Sequence, residues 1–330
     1  MSALRTLVFS LALIAPCYAA VDGIVMSGTT GQPQANAIVS LVQPGQGGMK
    51  TLFSVKTDAQ GVFRFDKDVP PGPILVQTFF DGVNYNQPLM PGTPTSGIRV
   101  QVYNATNKPV AKVAQHFIVL QPSATDITVS EGILYQGDPK LAYSDPVNGT
   151  LQFYLPPEAG GKVQVTINST GGMPIQRPAE KTKQPNVYKV DYAIKPGETR
   201  FDLNYTLPAT NPMTYTGKIL HAEGASDLVA PQGVTLKGAD VELAGTEPTT
   251  QASVYKIKSP NFTVQVEGTG ALQAGAGGGG GGAASPEEDN GAPTLQEVKP
   301  RIYDRMYWIL GMAFAVLGLG SVVLYRTHQA

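Results

Sequence analysis

The sequence predicts an all-β chain, tandem β-sandwich modules followed by one C-terminal transmembrane helix. Three observations predict it. From Val21 to Val266 short β-branched or alternating runs are punctuated by turn residues, with little helical periodicity. The chain holds 37 glycines and 27 prolines, and only 15% of its residues are charged, where soluble chains carry roughly 25%. Residues 306–324 contain no charge at all.

The N-terminus reads as a signal peptide over residues 1–19. Arg5 supplies a basic start, Leu7-Val-Phe-Ser-Leu-Ala-Leu-Ile14 a short apolar run, and Cys17 and Ala19 the small residues before a cleavage site. Ile14-Ala-Pro-Cys17 also resembles a bacterial lipobox, with Pro16 departing from the small residue expected before the cysteine. Lipidation of Cys17 stays open. Cleavage after Ala19 leaves no cysteine, so the fold must rest on its apolar core without disulfides.

The first module is expected over residues 20–105. Strand-like runs Ala37–Val42, Gly61–Phe65, Ile74–Phe80 and Gly97–Tyr103 are separated by turns at Asp58-Ala-Gln-Gly61, Pro70-Pro-Gly72 and Asp81-Gly82. Phe63 and Phe65 alternate with Arg64, which places both rings on one face of a strand. In order, Val21-Asp-Gly-Ile-Val25, Gly31-Gln-Pro33, Ala37–Leu41, Thr57-Asp-Ala-Gln-Gly-Val-Phe63 and Val69-Pro-Pro-Gly72 resemble the carboxypeptidase regulatory-like domain, a transthyretin-like β-sandwich. The resemblance covers the N-terminal quarter of the chain. It implies an accessory scaffold or binding module without peptidase activity.

Residues 110–208 carry six further runs, among them Ile127–Leu134, Lys162–Ile167 and Phe201–Leu207, and are expected to form an immunoglobulin- or fibronectin-like sandwich. Residues 209–268 repeat the pattern faintly and are expected to form either a small β module or an extension of the second. Residues 269–298, with glycine from 277 to 282 and acidic Glu287-Glu-Asp289, read as a disordered linker.

The apolar run 306–324 is 19 residues long; at ~1.5 Å per residue it matches a bilayer core. Aromatic residues flank it at Tyr303, Tyr307, Trp308 and Tyr325. The signal peptide then puts the bulk of the chain outside the cell membrane and a short tail in the cytoplasm. Gly311, Ala315 and Gly318 recur on one helix face as a small-residue contact stripe.

The chemistry of catalysis is sparse. The three histidines, His116, His221 and His328, show no metal-ligand spacing, and no nucleophile elbow is present. The expectation is therefore no enzyme, no cofactor and no metal. A formal net charge of −1 argues against nucleic acid. Phe80, Tyr85 and Asn86 combine aromatic faces with an amide and are candidate ligand contacts. The function expected is a non-catalytic, membrane-anchored envelope protein that binds carbohydrate or another surface ligand. The alternative is a structural accessory subunit that meets another envelope protein in a membrane complex.

Overall fold

Buried and exposed residues alternate along most strands of the chain, and the resulting one-sided sheets pack into sandwiches. A computed structural model describes residues 21–45, 48–67, 69–70, 72–90, 92–221 and 223–272, all within one compact unit. Seven strands come first: β1 (Val21–Ser27), β2 (Ile38–Gly45), β3 (Gly48–Lys56), β4 (Val62–Phe65), β5 (Ile74–Phe80), β6 (Val83–Leu89) and β7 (Ile98–Val102). They form two sheets, ordered β4-β1-β7 and β3-β2-β5-β6. Strand β1 pairs antiparallel with β4 and parallel with β7. Val25, Val39, Leu41, Phe63, Val76 and Val102 fill the space between the sheets.

The chain continues through β8 (Asn104–Thr106), β9 (Lys112–Pro122), β10 (Asp126–Gly137), β11 (Leu141–Tyr143), β12 (Leu151–Tyr154), β13 (Gln164–Ser169), β14 (Ile175–Arg177), β15 (Glu180–Lys181), β16 (Val187–Val190) and β17 (Gly197–Pro208). It closes with β18 (Thr214–Lys218), β19 (Ala225–Ala230), β20 (Thr235–Lys237), β21 (Val241–Thr246), β22 (Ser253–Ile257) and β23 (Asn261–Glu267). One eight-stranded sheet, ordered β14-β13-β17-β10-β9-β19-β22-β21, runs through this region. Two three-stranded sheets, β12-β16-β15 and β18-β23-β20, and the parallel pair β11-β8 complete it. A single core contains Leu151, Phe153 and Val190 of the first small sheet and Tyr215, Phe262 and Val264 of the second. The parallel pairing of β9 with β19, from Ala225–Gln115 to Val229–Val119, makes the large sheet continuous.

Glycines allow the closest approaches. A Cβ on Gly23 would lie 2.1 Å from the Ile98 carbonyl oxygen and 2.7 Å from the Phe63 ring, its partner across β1 and β4. Gly132 and Gly217 likewise sit opposite Phe117 and Phe262, so in each pair a ring covers a bare α-carbon.

The transmembrane part of the expected fold class is corrected. Among the described residues no helix is long and apolar enough to cross a membrane. Their one helical element is the 3₁₀ turn Pro157–Ala159, far short of the ~20 residues a bilayer core requires. The expected single-pass membrane anchor, the cell-membrane location and the membrane-anchored envelope function are corrected on the same ground. The carbohydrate-binding and complex-subunit roles attached to that anchor go with them. The signal peptide 1–19, the span 306–324 with its Gly311, Ala315 and Gly318 stripe, and residues 273–298 of the expected linker lie outside the described residues.

The two kinds of glycine contact predict different costs. In Gly23→Ala the new methyl meets backbone, so β1 and β7 must separate, at about 1–3 kcal/mol or more. In Gly132→Ala it meets the outer atoms of the Phe117 ring, which is only partly buried and can swing away. Urea unfolding should therefore show the larger loss for Gly23→Ala; the reverse order would refute this account of the β1–β7 contact.

Candidate functional site

Two polar assemblies stand out against this apolar framework. The first crosses the core of the large sheet. On β10, Ile127, Val129, Glu131 and Ile133 share the inward face, and Glu131 is 6% exposed. His116 of β9, 2% exposed, lies diagonally across from it, since His116 pairs with Ile133 and Ile118 with Glu131. A bulge at Ala114 shifts the register from Leu134–Gln115 to Tyr135–Val113, so Val113 and His116 both turn inward although three residues apart.

Hydrogen-bond valence orders the protons in this assembly. His221 Nδ1 lies 2.6 Å from the Glu223 carbonyl oxygen, which only accepts, so Nδ1 carries a proton. Burial, and then the neighbouring His116, hold the His221 pKa below its ordinary value, and the ring is neutral near pH 7. Its Nε2 therefore accepts from His116 Nδ1 at 2.8 Å. That leaves His116 Nε2, 2.7 Å from Glu131 Oε1, to share one proton with the carboxyl. Behind Glu131, the Tyr205 and Tyr215 hydroxyls are 3.0 Å apart. Burial raises the pKa of both, with the Glu131 charge adding to it, so both phenols stay protonated. The assembly is internally satisfied, and His116, Glu131, Tyr205 and Tyr215 are buried while His221 is half-buried at its outer end, which suits a structural polar core.

The second assembly is open. A cleft of about 510 Å³ lies between β6 and β7 of the first sandwich and the β13–β14 hairpin with residues 192–199 of the second region. Its central cation is Lys195. The chain around it is fixed on both sides: Ile194 is fully buried and bridges Tyr143, and Gly197 pairs with Gly137. A Cβ on Gly137 would come within 2.0 Å of the Lys195 carbonyl oxygen, so this segment rests directly on bare backbone. Lys195 Nζ sits 5.0 Å from the centre of the Tyr85 ring. The ring is clamped in turn, because the Tyr85 hydroxyl donates to the Tyr103 carbonyl at 3.0 Å and accepts from the Tyr103 N–H at 3.1 Å. Burial raises the Tyr85 pKa to about 12 and lowers that of Lys195 to about 8. Among the described residues no carboxylate forms an ion pair with Lys195. Arg99 and Arg177 also line the cleft, against one carboxylate, Glu198.

Of the ligand contacts expected from sequence, Tyr85 and Asn86 line this cleft. Phe80 does not; it packs, partly buried, against the core of the first sandwich. Sequence reasoning missed Lys195, which sits in Ile194-Lys-Pro-Gly197 with nothing local to mark it. It also missed Glu131, although a signal existed: a carboxylate occupies the one polar position in the inward series Ile127, Val129, Glu131, Ile133. Among the described residues no group of three or more His, Cys, Asp and Glu could hold a metal ion. Comparison of the chain with protein-family models and with curated proteins finds no match.

In Glu131→Gln the amide can donate to His116 Nε2 while its oxygen accepts from Tyr205, so every bond survives without the shared proton. That variant should lose less than ~1.5 kcal/mol. Glu131→Ala orphans a buried ring nitrogen at about 1–3 kcal/mol, with a cavity cost in addition. Urea unfolding at pH 7 checks this, and equal losses for the two variants would contradict the assigned bonding.

Proposed function

We propose that the protein is a non-catalytic binding protein whose cleft holds an anionic, hydrogen-bonding ligand. The observation that carries this reading is the Lys195 ammonium, held over the Tyr85 ring inside the cleft and left without a carboxylate partner among the described residues. A desolvated charge of this kind is costly unless something neutralises it. A bound carboxylate or phosphate would do so, and Arg99 and Arg177 would extend the field that attracts it. The other polar groups at the cleft are amides, such as Gln77, Asn84, Asn86 and Gln101, and hydroxyls, such as Ser169, Thr170 and Thr199. They fix a ligand by hydrogen bonds and have no proton to transfer near neutral pH, which supports binding over catalysis. The first sandwich we read as a carboxypeptidase regulatory-like module, on its ordered motifs and its turn from Asp58 to Gly61; such a module supplies a wall for a site and no chemistry of its own.

The pH dependence has a definite sign. The unfolded Lys195 amine keeps its proton up to its ordinary value of 10.5, while the folded one releases it above about 8. Between those values the unfolded state binds more protons, so stability contributed at this position rises with pH. Ligand affinity runs the other way, since the anion needs the ammonium. It should be strongest below about pH 8 and fall by roughly tenfold per pH unit above it. Succinate is a suitable probe. Titration followed by side-chain NMR of labelled lysines should place the free amine near 8 and raise it on adding succinate. Lys195→Met should abolish the response, and Lys195→Arg should carry binding to higher pH. A Lys195 that titrates at its ordinary value, with no cleft resonance moved by succinate, would overturn the reading.

A further inference from the structure

Four strands that terminate their sheets meet at the cleft: β6, β7, β14 and, through Met49, β3. A terminal strand presents a row of N–H and C=O groups with no ladder partner. On β6 these groups can be identified. The β5–β6 hairpin closes on Phe80–Val83 across Asp81-Gly82, and hydrogen-bonded and non-hydrogen-bonded pairs alternate from there. The alternation turns the backbone groups of Asn84, Asn86 and Pro88 away from β5. Pro88, which lacks an N–H, falls on this free side, where its absence breaks no ladder bond. At ~3.3 Å per residue the edge from Asn84 to Pro88 is roughly 13 Å long.

The surroundings suit a chain rather than a compact anion. Met49 and Met173, both exposed, form apolar lips on the two sides of the cleft, and thioether side chains adapt to varied apolar shapes. Amides lie along the outer face beside the edge, with Gln77 Nε2 donating to Asn86 Oδ1 at 3.0 Å. Lys195, Arg99 and Arg177 outnumber Glu198.

We infer that the occupant of the cleft is an extended peptide bearing carboxylate side chains, added as a strand to the free edge of β6. Its backbone pairs with Asn84 and Asn86, its carboxylates face the three cations, and its apolar side chains lie between the methionines. This rests on the reading of the cleft as an anion site, and the experiment separates the two. The probe is a fluorescein-labelled acidic peptide, Thr-Glu-Val-Glu-Thr, followed by fluorescence anisotropy with the full chain. The same peptide N-methylated at alternate amides and a version with lysine for glutamate serve as comparisons. The acidic peptide should bind, the lysine version should not, and N-methylation in at least one of the two registers should weaken binding by tenfold or more. Asn86→Pro removes one edge donor and leaves the β5–β6 ladder intact. It should weaken the acidic peptide by a similar factor. If both N-methylated registers bind as well as the parent while succinate still competes, the strand-addition inference falls and the anion site stands. If neither peptide nor succinate binds, both fall.

Discussion

The contact between His116 and Glu131 sets the register of the sheet on which the second region is built. Strands β9 and β10 lie near the middle of that sheet, and their inward face is otherwise Val113, Ile118, Leu120, Ile127, Val129 and Ile133. Apolar residues of similar size would tolerate a slip of two positions. The polar pair would not. A one-residue slip of either strand turns its own member of the pair to the opposite face, and a two-residue slip separates them and leaves two buried polar groups unpaired, each costing ~1–3 kcal/mol or more. The bulge at Ala114 completes the constraint, because it lets the β9 end carrying Val113 join the same core. Once β9 is fixed, its parallel partner β19 is positioned too, and β22 and β21 follow outward.

Lys195 is the opposite case. His116 and Glu131 meet each other inside a core; the lysine is withdrawn from water, forms no ion pair with a carboxylate among the described residues, and remains open to a cleft. Strand β17 connects the two. It begins at Gly197, two residues beyond Lys195, and carries Phe201 and Leu203 into the core before reaching Tyr205 beside Glu131. The same twelve-residue strand that is locked along β10 over its whole length therefore anchors the wall of the cleft. A ligand at Lys195 would meet backbone that is already fixed, so little ordering entropy would oppose binding.

Much of the local structure was legible in the sequence because its causes are local. The alternation of Phe63 and Phe65, the Asp81-Gly82 turn and the run Ile74–Phe80 each specify a strand or hairpin through side-chain period and turn chemistry, and the structure has β4, β5 and β6 at those places. All-β composition follows from the same signals. What was not legible is long-range. The β9–β19 pairing joins residues more than a hundred positions apart, and parallel pairing leaves no turn signature. The cleft draws residues from Met49 to Thr199, so no window of sequence contains it. Tyr85 and Asn86 stood out as an aromatic ring beside amides; Asn86 is exposed, while Tyr85 is buried in the core of the first sandwich and reaches the cleft from there. Lys195 did not stand out, because its distinction is desolvation, which only the packed neighbours create. The membrane helix expected at 306–324 falls outside the described residues, among which no helix is long and apolar enough to cross a membrane.

Terminal strands must be protected or used, and this protein treats its own unequally. The edge strand β21 carries a register shift between Leu243 and Gly245, with a Glu242–Lys258 ion pair beside it. The pairing of β3, another edge, is broken between Leu41 and Val42, and Lys50 and Lys56 lie on it. Bulges and lysines of this kind deter further strand addition. The pairings of β6, β7 and β14 run without a shift. These regular edges line the cleft, where the second region restricts approach from the side and the cations select for charge. The regular edges of β6, β7 and β14 inside a guarded cleft, beside the irregular edges of β3 and β21, favour one strand of the right chemistry over indiscriminate edge pairing. Shape and charge thus act in the same direction, and Pro88 limits the usable edge of β6 to the stretch directly before it.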